Sequence, residues 1–76
     1  MKGEISVSEV SILNDFKQIS REDNSFAITK ENPSEDVIDR YKDKVMNLES
    51  NNYISIDHIR KYYKHRYCLE VSGKLL

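Results

Sequence analysis

The chain has a single cysteine, Cys68, so no disulfide can form within it. Small secreted domains usually depend on such staples, and going without them points to a reducing, cytoplasmic setting. Glycine occurs only at Gly3 and Gly73, which excludes a glycine-rich phosphate loop. No apolar run approaches the ~18 residues needed to span a membrane. The opening MKGEISVSEV lacks the apolar core of a signal peptide, so no membrane partner is expected. The two histidines, His58 and His65, have no carboxylate or cysteine cluster at ligand spacing beside them. Neither a metal site nor a cofactor is expected. Asp36, Asp39 and Asp43 recur at helical spacing and read as a solvated acidic face. Cys68, flanked by Arg66, reads as a semi-exposed structural thiol whose neighbour favours the thiolate, not as a nucleophile. No catalytic residue is expected, and the chain does not read as an enzyme.

What remains is a chain of 76 residues, 38% of them apolar. That length makes one small domain spanning residues 1–76. Such a domain buries only about 60–65% of the surface its unfolded chain exposes, so its stability is marginal. Charge is unevenly spread. Residues 1–50 hold 7 Lys/Arg against 11 Asp/Glu, whereas residues 51–76 hold 5 against 2, although the whole chain is at −1. Such asymmetry suggests an anionic partner for the second half, or an internal match between the halves.

Ser6-Val7-Ser8-Glu9 has capping-box spacing, and Ile5 with Val10 has the spacing of a hydrophobic staple. Val7, Val10, Leu13, Phe16 and Ile19, widened by Ile12, then predict a helix over 7–19. Residues 20–25 are polar and break the pattern. Ser25 to Thr29 reads as a short strand, with a single helical turn as the alternative. Asn32 as N-cap, Pro33 at N1 and Glu35 at N3 predict a second helix over 33–49. Its inward stripe is Val37, Ile38, Tyr41, Val45 and Leu48, and Asn51-Asn52 ends it. Beyond it two readings stand. In one, Tyr53 to Ile56 is a strand with Ile54 and Ile56 inward, and the alternation of Tyr67, Leu69 and Val71 makes another. In the other, Ser55 caps a helix over 56–66 and the domain is mainly α. Gly73 then punctuates the chain, and Leu75-Leu76 closes it as an apolar tag.

The order Leu48-Glu49, Asn-Asn-Tyr-Ile, a basic stretch, and Tyr67-x-Leu69-x-x-x-Gly73-Lys74 resembles the C-terminal half of winged-helix regulators of the PadR and MarR kind. The resemblance covers roughly residues 37–76. Asn52 stands where those families carry a glycine, and Glu70 stands at their usual threonine. Residues 20–33 are short and polar for the second helix of a helix-turn-helix. The resemblance implies an α+β, winged-helix-like domain with two main helices and a C-terminal β-hairpin. It implies that HIRKYYKHR, residues 58–66, is the wing. Arg60, Lys61, Tyr62, Lys64, His65 and Arg66 would then meet the backbone of double-stranded DNA. The second helix would add Arg40, Lys42, Lys44 and Asn47, although its first turn is acidic and carboxylates repel phosphate. The expected function is therefore that of a small DNA-binding regulator, with homodimer formation open. The alternative is a protein-interaction module docking on a host protein through the acidic helix face, as a small phage- or mobile-element-type inhibitor or adaptor would.

Overall fold

A computed structural model describes residues 2–76, and in it the N-terminal capping box forms. The Ser6 hydroxyl accepts from the Glu9 amide at 3.3 Å, and the Glu9 carboxylate accepts from the Ser6 amide at 2.8 Å. The helix that follows, α1, runs Val7–Ile19. Its buried stripe is Glu9, Ile12, Leu13 and Phe16. Val7, Val10 and Ile19 face solvent, at 88, 41 and 45% exposure. The buried stripe is thus rotated about the helix axis from the expected one: Ile12, Leu13 and Phe16 lie at i, i+1 and i+4, and Glu9 joins them because its carboxylate is satisfied by the cap. Ile5 packs on the core, whereas Val10, at the staple spacing from it, is exposed.

A turn closed by the Asn24 amide on the Arg21 carbonyl, with Asn24 left-handed at φ 66°, leads into β1, Ser25–Asn32. The strand reading of this segment holds, and the strand extends three residues further than predicted. That extension shifts the next helix. Asn32 stays paired with Tyr67 in the sheet, so it cannot be the N-cap. Its side-chain oxygen instead accepts from the Ser34 amide at 2.9 Å, Ser34 becomes the N-cap without a side-chain bond, and Pro33 lies outside the helix. Helix α2 runs Glu35–Ser50, with Ile38, Val45 and Leu48 fully buried and Tyr41 partly so. It ends in a Schellman motif: the Tyr53 amide donates to Leu48 and the Asn52 amide to Glu49, with Asn52 left-handed at φ 67°.

Residues 54–64 form a strand, which overturns the mainly α alternative. β2 is Ile54–Lys64 and β3 is Arg66–Leu75, both antiparallel in a sheet of order β1-β3-β2. The chain is therefore a small α+β domain of two helices and one three-stranded antiparallel sheet, ending in a hairpin. A bulge at Asp57 falls between the Ile56–Gly73 and His58–Ser72 pairs. It switches the inward parity of β2 from Ile54 and Ile56 to Ile59, Lys61 and Tyr63. Opposite them, Leu69 and Val71 of β3 and Phe26 and Ile28 of β1 face the helices, with Tyr67 packed partly buried beside the core. The Phe16 ring stacks on Phe26 at 4.3 Å and 12°, fixing α1 on β1. Gly73 is not a turn. It lies inside β3, paired with Phe26 and Ile56. Leu75 belongs to β3 and packs on the core, so only Leu76 is an exposed apolar end, at 62%.

Candidate functional site

The basic stretch is not a loop. Residues 58–64 are paired strand, and the connection turns at His65 alone, left-handed at φ 64° and just beyond the Lys64–Arg66 pair that ends the ladder. Strand alternation therefore divides the cations between the two faces of the sheet. Lys61 points to the helix side. Its ammonium lies 2.7 Å from Asp39 Oδ1 and 2.9 Å from Glu35 Oε2, both on the first turns of α2. Those hydrogen bonds, Asp39 first and then Glu35, push its pKa upward. Arg60 points to the open face. Its Nε lies 3.1 Å from Glu70 Oε1, its cross-strand partner, and its guanidinium covers the Tyr62 ring at 4.8 Å. His58 reaches the same Glu70 oxygen at 3.9 Å. Two of the four Lys/Arg side chains within residues 58–66, Arg60 and Lys61, are thus matched internally.

The tip differs. Lys64, His65 and Arg66 are all exposed, and none enters an ion pair with another described residue. Tyr63 stands beside them at 66% exposure, its ring 4.9 Å from Tyr67. Tyr62 is half-buried opposite Cys68. Burial first, and then the neighbouring Cys68 and Glu70, push its phenol pKa up. Cys68 lies on the parity opposite to Leu69, as the alternation predicts, but at 2% exposure it is buried, not semi-exposed. Its thiol donates to the Arg66 carbonyl at 3.5 Å. Its cross-strand partners, Tyr62 and Glu31, flank it on both neighbouring strands.

The predicted residues of α2 do not form one surface. Lys42 is half-buried and shares its flank with Asp39, which faces β2 through Lys61. Asn47 is engaged within the fold, donating to Glu9 Oε2. The cap and Asn47 hold the Glu9 carboxyl below its ordinary range, the Ser6 amide contributing most and Lys44 adding its charge. Arg40 and Lys44 instead line an open cleft of about 300 Å³ between α1 and α2, together with Ile12, Val37, Tyr41 and Lys30. Lys30 is a residue that the sequence reading passed over. Its signal was present, because Phe26, Ile28 and Lys30 alternate on the inward side of β1. Its ammonium lies 5.6 Å above the Tyr41 ring. Among the described residues no helix is long and apolar enough to cross a membrane, and no group of three or more His, Cys, Asp or Glu side chains gathers at metal-binding distance.

Comparison with known protein families, with curated proteins and with solved structures gave no match.

Proposed function

We propose that this chain is a small cytoplasmic, winged-helix-like regulatory domain that binds double-stranded DNA through the tip of its β2–β3 hairpin and carries no enzymatic activity. One observation carries the reading: Lys64 and Arg66 project at a tight turn with no carboxylate partner among the described residues, whereas Arg60 and Lys61 behind them are paired. Cations already matched by carboxylates gain little from phosphate, so backbone affinity falls to the tip. Tyr63, exposed beside them, adds a hydroxyl for phosphate. α2 contributes little to base reading, because a strand stands where a helix-turn-helix would need its second helix, and its solvent face carries Asp36 and Asp43.

The test is duplex binding across a range of salt. The intact protein binds more weakly as salt rises, and Lys64→Ala with Arg66→Ala flattens the slope of log K against log salt by about 1.8. Lys61→Ala leaves that slope nearly unchanged. Absence of duplex binding at low salt by a folded sample refutes the proposal.

A second reading, docking on an acidic-face-seeking protein partner, is favoured by Asp36 and Asp43, which are exposed, lie two helical turns apart and enter no ion pair among the described residues. Asp36→Lys with Asp43→Lys would strengthen duplex binding if α2 approaches phosphate, and would abolish capture of a basic partner if that face docks protein. Asp39 is unsuited to this comparison, because reversing it breaks its bond to Lys61.

A further inference from the structure

The α1–α2 cleft has an apolar floor and a cationic rim. Ile12, Val37 and the Tyr41 ring supply the floor, and Lys30, Arg40 and Lys44 supply the rim. Three cations converge on this one cleft. None of the three enters an ion pair among the described residues. Lys30 is held over the Tyr41 ring at 5.6 Å, and Arg40 Nε donates to the Asp36 carbonyl at 3.3 Å. Both heads are thereby held at the cleft by contacts that leave their charge unneutralised. The Tyr41 hydroxyl has no hydrogen-bond partner among the described residues, and burial raises its pKa to about 12, so it remains a proton donor across the physiological range. Carboxylates do stand nearby. Asp15 acts on Tyr41 and Glu9 lies near Lys44, but Glu9 is occupied by Ser6 and Asn47. The volume is at the lower end of the range for small-molecule sites, about 300–1,000 Å³, which combine apolar walls with a few charged groups that orient the ligand.

We propose that this cleft binds a small amphiphilic carboxylate, its apolar body lying on Ile12, Val37 and Tyr41 and its anionic head between Lys30, Arg40 and Lys44. A purely apolar ligand would leave the rim charges unused, and a purely polar anion would leave the floor wet. Both parts are needed for occupancy. The site is separate from the hairpin tip and does not depend on the DNA reading.

The experiment is a titration of the full chain, followed by ¹H–¹⁵N amide shifts, with octanoate, acetate and octyltrimethylammonium as three separate probes. Octanoate is expected to give saturable shifts centred on Ile12, Val37, Arg40, Tyr41 and Lys44. Acetate and octyltrimethylammonium are expected to give none that saturate there. Lys30→Gln and Arg40→Gln each weaken octanoate binding by about three- to fivefold, the scale of a solvent-exposed ion pair, and keep the native amide spectrum elsewhere. Lys64→Ala with Arg66→Ala leaves octanoate binding unchanged. Equal shifts from the cationic probe would show apolar partition alone, and equal shifts from acetate would show non-specific anion binding. Either result, or shifts centred outside the cleft, overturns the proposal.

Discussion

Gly73 sits in the middle of the central strand, where glycine normally weakens a sheet. A Cβ built there would lie 2.1 Å from the Ser55 carbonyl oxygen and 3.0 Å from its carbon, both backbone atoms that cannot rotate away. The close approach occurs beside the Asp57 bulge, where β2 bends toward β3. Gly73→Ala is therefore expected to destabilise the domain by about 1–3 kcal/mol, the cost of overpacking a dense interior. A urea titration with an unchanged midpoint would refute that account. Glu9 is the other residue whose position carries a prediction. Its folded pKa lies below its ordinary 4.5, because Ser6 and Asn47 donate to the charged form. Its contribution is present above the unfolded value and is lost as pH falls through the folded one. Glu9→Gln should lower stability at neutral pH and shrink the loss seen on acidification, read from thermal melts at stepped pH.

At the scale of elements, the hairpin is held by one internal clamp and carries one free end. Lys61 joins β2 to the first turns of α2 through Glu35 and Asp39. Its pKa is raised, so this contribution is full at neutral pH and is lost only as pH rises through the folded value, well into the alkaline range. The pair is largely solvent-exposed, so salt screens it. Lys61→Met should lower the melting temperature more at low salt than at high salt, and an equal drop at both would show that the lost ammonium is not the cause. The same alternation that sends Lys61 inward sends Arg60 outward to Glu70, leaving Lys64 and Arg66 as the open charge of the tip beside the exposed His65. For α1, the capping box fixes where the helix starts, and Ser6→Ala is expected to cost about 1 kcal/mol by denaturant melt.

For the molecule as a whole, one core joins both helices to one face of the sheet. A chain of 76 residues has a total stability on the order of 4–11 kcal/mol at the usual value per residue. Phe16 is fully buried and stacked on Phe26. Phe16→Ala removes about 3–5 kcal/mol, a large part of that total. It should yield a protein partly unfolded at 37 °C, visible as collapsed amide dispersion, whereas Val7→Ala, at 88% exposure, should leave the melt unchanged. The charge asymmetry between the halves is resolved in part inside the molecule. Two basic positions of the second half meet acids, Glu35 and Asp39 of the first half and Glu70 of the hairpin itself. Of the remainder, Lys64 and Arg66 are open at the tip, and Lys74 lies at the opposite end of β3.

The sequence alone determined the two helices, the end of the second at Asn51-Asn52, and the inward sets Ile38/Val45/Leu48 and Leu69/Val71, because caps and periodicity are local properties, whereas it left the choice between an α+β and a mainly α domain open. It carried less of α1's orientation. Val7 and Val10 satisfy helical spacing equally well, and only docking against Phe26 selects Ile12, Leu13 and Phe16 for the interior. The strand at residues 54–64 is not locally encoded, since its polar and apolar residues fit helix and strand alike; pairing with β3 decides it. Above all, which cations are free was decided by tertiary structure. A run of Arg and Lys has the same charge in any conformation, but the Asp57 bulge sets the face on which each one falls. Sheet parity then brings Lys61 to α2, Arg60 to Glu70, and Lys64 and Arg66 to neither.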